Sequence, residues 1–255
     1  IGNVLHSCHP ENKVAAIEIY TEHALWTCDP QSHSAGHVSC RGVGYYDTDQ
    51  VLTLTAEEQT VDADAPCRQS VIVNTVDARL IALDAHTGKL CPKFGNNGVV
   101  DLKSRMGPVE NGKRYHPTGI PVIMGHTTVI GGWVRDIVHG EPSGAVRAFD
   151  VRTGTQTWTW DVGDPDNANA TDPSKTYTLE TPNVWTPPTY DRDLHLVSLP
   201  TGCVPPVFWV CFRDAVMVKF GSAILAVYAP TVLLTLVFLS FLLLFLFFAF
   251  PSSSF

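Results

Sequence analysis

What this chain lacks narrows its function first. It has no run of lysines or arginines, and its formal net charge is -8. Nucleic-acid binders concentrate Lys and Arg on one face, so a phosphate-backbone partner is not expected. Of its 25 acids and 17 Lys/Arg, only Arg213, Asp214 and Lys219 lie beyond residue 206. Seven cysteines are present without a CxxC pair, which does not fit a structural zinc site. Cys8 and Cys40 bracket one strand pair, and Cys67 and Cys91 bracket another. They read either as disulfides of an oxidising compartment or as small buried apolar residues. No charged segment followed by an apolar one precedes Asn3–Cys8, so no signal peptide is in view. The chain opens at Ile1 in strand-like sequence and is expected to be a piece cut inside a longer gene, so that absence is silent about compartment.

What is present is a repeat. The string AFDVRTGTQTW begins at Ala148, and ALDAHTGKLCP at Ala82 and AIEIYTEHALW at Ala16 are its relatives. The three alanines are spaced by 66 residues each time, with the acid (Glu18, Asp84, Asp150) and the threonine at matched offsets. Strand, turn, strand, turn and strand recur near residues 3–28, 70–94 and 128–162, and a fourth unit starts at Asp193. Antiparallel meanders at a long fixed period cannot bury both apolar faces alone, and radial stacking of such sheets makes a β-propeller. The expected fold is therefore all-β, about three blades and a stub.

The repeat predicts its own local chemistry. Gly88 and Gly154 supply positive φ in a tight turn, while the acid and the Thr hydroxyl bond turn N–H groups. Trp26 and Trp158, ten residues after the alanine, are placed to dock on the next blade. Glu22 and Pro92 each break the pattern once. These residues read as scaffold, and function is expected in the long inter-repeat loops Gln31–Asp49, Gly107–Gly125, Arg135–Pro142 and Tyr177–Tyr190. The first holds His33, His37, Cys40 and Arg41. The third holds Asp136, a metal or acid/base candidate whose plainer role is to cap a turn. The fourth holds Trp185 among prolines, either a flat platform for a planar ligand or ordinary loop packing.

The strings HVSCRGVGYYD, VNTVDARLIALDAHTGKLCPKFGNNGVVDL, MGHTTVIGGWVRDIVHGEPSGAVRAFDVRTG and TLETPNVWTPPTYD closely resemble the membrane-bound quinoprotein glucose dehydrogenases, over residues 1–202. That family builds an eight-bladed propeller around pyrroloquinoline quinone (PQQ). The resemblance implies that His37, Arg41 and Trp185 bind PQQ, with the ring on the Trp185 face, and that Asp136 lies near a divalent metal, calcium or magnesium. It also implies an aldose substrate, ubiquinone as electron acceptor, and a bacterial inner-membrane location with the propeller facing the periplasm. The catalytic acid and a quinone-contacting lysine would lie in later blades, so catalytic residues are not assigned and the chain alone is expected to be inactive. Two rivals remain: a non-catalytic propeller scaffold of PQQ-like repeats, and a sister enzyme acting on quinate or a polyol.

Residues 203–255 leave the pattern. Phe220–Phe255 has no charged residue, and Thr231–Phe250 is a Leu/Phe-rich run of about 20 residues, long enough to span a bilayer. The expected domains are thus 1–202, a partial propeller, and 203–255, an unrelated hydrophobic tail. The tail is read as a frameshift product, a membrane anchor over 222–250, or a buried core element.

Overall fold

A computed structural model describes residues 1–33, 39–51, 65–110, 113–165, 174–206, 220–228 and 233–235, the last by backbone alone. Four antiparallel sheets follow one another along the chain. The first holds β1 (Val4–Cys8), β2 (Val14–Glu18) and β3 (Ala24–Cys28). The second holds β4 (Gly44–Asp47), β5 (Gln69–Asn74), β6 (Arg79–Asp84) and β7 (Val99–Asp101). A short ribbon pairs β8 (Tyr115–His116) with β11 (Trp133–Val134). The third sheet holds β9 (Val122–Met124), β10 (Thr127–Ile130), β12 (Val146–Asp150) and β13 (Gln156–Trp160). The fourth holds β14 (Thr189–Asp191), β15 (Leu196–Pro200), β16 (Ile224–Tyr228) and β17 (Leu233–Thr235).

The repeat positions take matching places in their sheets. Ala16 faces Trp26 and Ala148 faces Trp158 across the strand pair, and in both sheets the register shifts just after the alanine. The turn chemistry is as expected. Asp84 Oδ1 accepts from the Thr87 N–H at 2.9 Å and the Thr87 hydroxyl at 2.8 Å, and Asp150 Oδ1 accepts from the N–H groups of Arg152 and Thr153. Burial raises both carboxyl pKa values, but hydrogen bonds, led by the Cys67 N–H on Asp84 and the Arg152 guanidinium on Asp150, outweigh it and hold them below the ordinary carboxylate range. Gly88 and Gly154 sit at φ +68° and +70°.

Each sheet docks on the next. Trp26 Nε1 donates to Ala85 O at 2.9 Å, and its ring lies against Gly88, where a Cβ would come within 2.5 Å of it. Trp158 and Trp160 are buried with Val197, Leu199, Leu225 and Val227 between the third and fourth sheets. In β5 and β6 nearly every residue is buried, because other sheets cover both faces. That is why VIV and LIAL read as continuous apolar runs rather than alternating ones. Each such side chain contributes on the order of 1.5–3 kcal/mol.

Three differences from the sequence expectation matter. First, β4, β9 and β14 come from stretches read as loops. They are three or four residues long and abut prolines or glycines, so they carry almost no periodic signal. Second, the third strand of the unit expected near 70–94 forms only at Val99–Asp101, beyond Pro92, a residue with no N–H for a ladder. Third, the fourth sheet continues past residue 202. β16 pairs with β15 over five residues, and Phe220, Leu225 and Val227 are buried in the core. Residues 224–228 of the expected 222–250 span are therefore a strand, and among the described residues no helix is long and apolar enough to cross a membrane. Residues 236–255 lie outside the described residues.

Both bracketing cysteine pairs are disulfides: Cys8–Cys40 and Cys67–Cys91.

Candidate functional site

The first strand of a sheet lies beside the first strand of the next: β4 beside β9, and β9 beside β14. The segments that lead into these strands are Arg41–Val43, Thr118–Pro121 and Trp185–Pro188, and they meet. Gly42 packs on Ile120, Gly44 on Pro121 and Ile123, and Gly119 against Thr186 and Pro187. Side chains on three well-separated loops are thereby brought to one place.

Arg41 and Trp185, 144 residues apart, are in contact there. Arg41 Nη1 donates to the Trp185 carbonyl at 2.9 Å and to the Thr118 carbonyl at 3.1 Å. Its guanidinium carbon stands 5.6 Å from the centre of the indole. The Thr118 hydroxyl also donates to the Trp185 carbonyl, so one carbonyl accepts from two loops and fixes the Trp185 backbone. Trp185 is nevertheless 42% exposed, a large fraction for an indole whose backbone is so constrained. At its edge, Gly202 leaves space that a Cβ would fill to 3.3 Å from Nε1. Gly202 N–H donates to Asn183 O at 2.8 Å, which ties the end of β15 to the Trp185 loop.

A part-exposed indole beside a cation suits a planar, carboxylate-bearing ligand: a ring can stack on it, and the guanidinium takes the negative charge. The described residues thus fit PQQ by their donor set. Arg41 and Trp185, both singled out in the sequence, are brought together; His37 lies outside the described residues. Thr118 was missed. Its only local signal is the Pro-Thr-Gly turn, which does not reveal that it faces Trp185.

Asp136 is not brought to this cluster. Tyr115 pairs with Val134 and His116 with Trp133, and the antiparallel ribbon carries Thr118 and Asp136 off its opposite ends. Among the described residues Asp136 has no hydrogen bond or ion pair, and no group of three His, Cys, Asp or Glu is placed to hold a metal. The described residues do not compose a metal site. The loop's own anchor is Glu141, fully buried, whose Oε1 accepts from Arg135 Nε at 2.5 Å while Arg114 Nε stands 3.5 Å from Oε2.

Comparison with known proteins agrees with the all-β sheet arrangement. Residues 1–232 match the family model described as PQQ: glucose/ethanol/alcohol dehydrogenase, beta-propeller domain. The chain is 36% identical over 235 residues to a quinoprotein glucose dehydrogenase of Escherichia coli (strain K12), covering 91% of this chain and 29% of the relative. It is 35% identical over 237 residues to a quinate/shikimate dehydrogenase (quinone) of Acinetobacter baylyi, covering 91% and 29%. Against the quinohemoprotein alcohol dehydrogenase structure from Comamonas testosteroni the TM-score is 0.61 at 20% identity, covering 92% of this chain and 33% of that one, which supports the fold alone. The chain spans less than a third of the length of these curated relatives. Because the matched model reaches residue 232, the family likeness includes β16, beyond the limit of 202 expected from the sequence. The chain belongs to the PQQ glucose/ethanol/alcohol dehydrogenase β-propeller family.

Proposed function

We propose that this chain forms one wall of the cofactor site of a PQQ-dependent dehydrogenase that oxidises an aldose such as glucose to its lactone, with ubiquinone as the electron acceptor. The observation that carries this reading is the meeting of Arg41 and Trp185 from loops 144 residues apart. When bound, PQQ supplies the two-electron acceptor for the substrate alcohol. Trp185 holds the planar ring by stacking, with its own backbone held by Arg41 and Thr118. Arg41 orients a carboxylate and keeps its charge in place. Gly202 leaves the indole edge open so that a ring can lie across it. His37 joins them as a cofactor contact on the strength of the family resemblance. Asp136 enters only as the resemblance's metal ligand, and no step is assigned to calcium or magnesium.

Two disulfides support a periplasmic location, an oxidising compartment in which such bonds persist. The remaining catalytic groups are proposed to come from further blades of a longer, eight-bladed, membrane-bound protein. The 255-residue chain alone is accordingly expected to give no glucose-dependent dye reduction with PQQ and Ca²⁺; clear turnover would overturn that part. The cofactor reading is tested by titrating PQQ against tryptophan fluorescence. Saturable quenching is expected in the wild type and a loss of at least about fivefold in affinity in Trp185→Ala, since base-like rings stacked on an aromatic are held by about 1–3 kcal/mol. A scaffold propeller shows no saturable quenching.

A further inference from the structure

Cys40 immediately precedes Arg41, and its sulfur is bonded to Cys8, the last residue of β1. The bond closes a 32-residue separation and ties the segment that carries Arg41 to the first sheet. Arg41 then reaches away from that sheet to carbonyls at the mouths of the third and fourth sheets. Between the end of β3 and the start of β4 the described chain makes no ladder hydrogen bonds. Its other ties near Cys40 are long: Asn12 Nδ2 donates to Ser39 O at 3.4 Å, and the Cys40 sulfur stands 3.5 Å from Gly42 O. Arg41 is itself exposed, while Cys40 and Val43 on either side pack against the core.

The second disulfide differs. Cys67–Cys91 lies in the core cluster of the second sheet, with Cys91 buried and Cys67 packed against it, and the Cys67 N–H donates to Asp84. It staples a sheet whose strands are already paired. It touches none of Arg41, Thr118 or Trp185.

We propose that the Cys8–Cys40 disulfide is a positioning element of the cofactor site: it holds the Arg41 backbone so that the guanidinium spans to the Trp185 and Thr118 carbonyls in advance of ligand binding. This rests on the reading of Arg41 and Trp185 as the PQQ wall. A long flexible side chain on an untethered loop pays its ordering cost when the ligand arrives, and a tethered one has already paid it.

The test is a coupling cycle in the full chain, read by PQQ titration of tryptophan fluorescence. Cys8→Ser/Cys40→Ser is expected to weaken PQQ about tenfold, the upper end of the cost of ordering one such side chain. Cys67→Ser/Cys91→Ser lowers the unfolding midpoint and leaves PQQ affinity within about twofold. In an Arg41→Ala background, removing Cys8–Cys40 costs less than about twofold more, because both changes act through one contact. Affinity unchanged in the first variant, or an equal loss with Arg41 already absent, overturns the proposal. If Cys8→Ser/Cys40→Ser loses its far-UV signal, the folded wild type is reduced partially and alkylated. Molecules with Cys67–Cys91 intact are then titrated, and the same outcomes decide. Wild-type protein without saturable quenching overturns the cofactor reading itself, and this proposal with it.

Discussion

Two junctions between neighbouring sheets solve the same problem differently. At the first, Trp26 leaves β3, lays its ring on Gly88 and donates to the Ala85 carbonyl. At the second, Pro92 falls where the tryptophan is due, and the contact is made by backbone. Gly95 N–H donates to Thr153 O at 2.8 Å, and a Cβ on Gly154 would come within 2.7 Å of Gly95 N. The element common to both is the glycine of the turn, not the tryptophan. The receiving surface has to be flat, and either a ring or a loop can press on it.

The comparison is broken most severely at Gly154. In Gly154→Val a side chain is forced to φ +70° and against backbone that cannot retreat. About 3–4 kcal/mol of stability is expected to be lost, from left-handed strain and overpacking together. Urea unfolding measures it, and a loss below about 1 kcal/mol would mean that the second junction does not depend on this contact. Trp26→Ala is expected to cost about 2–3 kcal/mol, less than a wholly buried tryptophan because part of the ring is exposed. Trp26→Phe, which keeps the ring but not the N–H, should recover all but about 1 kcal/mol of it.

Smaller effects sharpen the comparison. Asp84→Asn is expected to cost about 1 kcal/mol at neutral pH by weakening the bonds from Cys67 N–H and Thr87. A carboxyl held below its ordinary range stabilises the fold above its unfolded pKa and loses that contribution as pH falls through the folded value. The gap between wild type and Asp84→Asn should therefore close as the pH falls below about 4. Unfolding curves at pH 7 and near pH 3 test that sign. Least of all, Pro92→Ala at an exposed position should shift stability by under about 0.5 kcal/mol, since the second junction no longer uses that site.

Legibility in the sequence tracked the range of the interactions. The turn at Asp84-Ala85-His86-Thr87-Gly88 was readable because the bonds that close it lie within those five residues. Both disulfides were suggested by the strand pairs their cysteines bracket. The inner strands β4, β9 and β14 were not readable, since three or four residues beside proline or glycine show no period and acquire their pairing from the sheet. The fourth sheet was hidden by composition. Ala226 and Thr231 keep the offset of Ala148 and Thr153, and a search for that offset would have found the unit inside the apolar tail.

The amino-acid sequence by itself determined the repeat, its turns and the all-β class, because each depends on hydrogen bonds and strand alternation within about 30 residues of chain. Only the tertiary structure decided that Arg41, Thr118 and Trp185 share one carbonyl while Asp136 lies at the other end of a ribbon. Those placements follow from how whole sheets stack and how a two-residue ribbon is registered. No local pattern encodes the distance between loops that are brought together by the packing of the sheets beneath them.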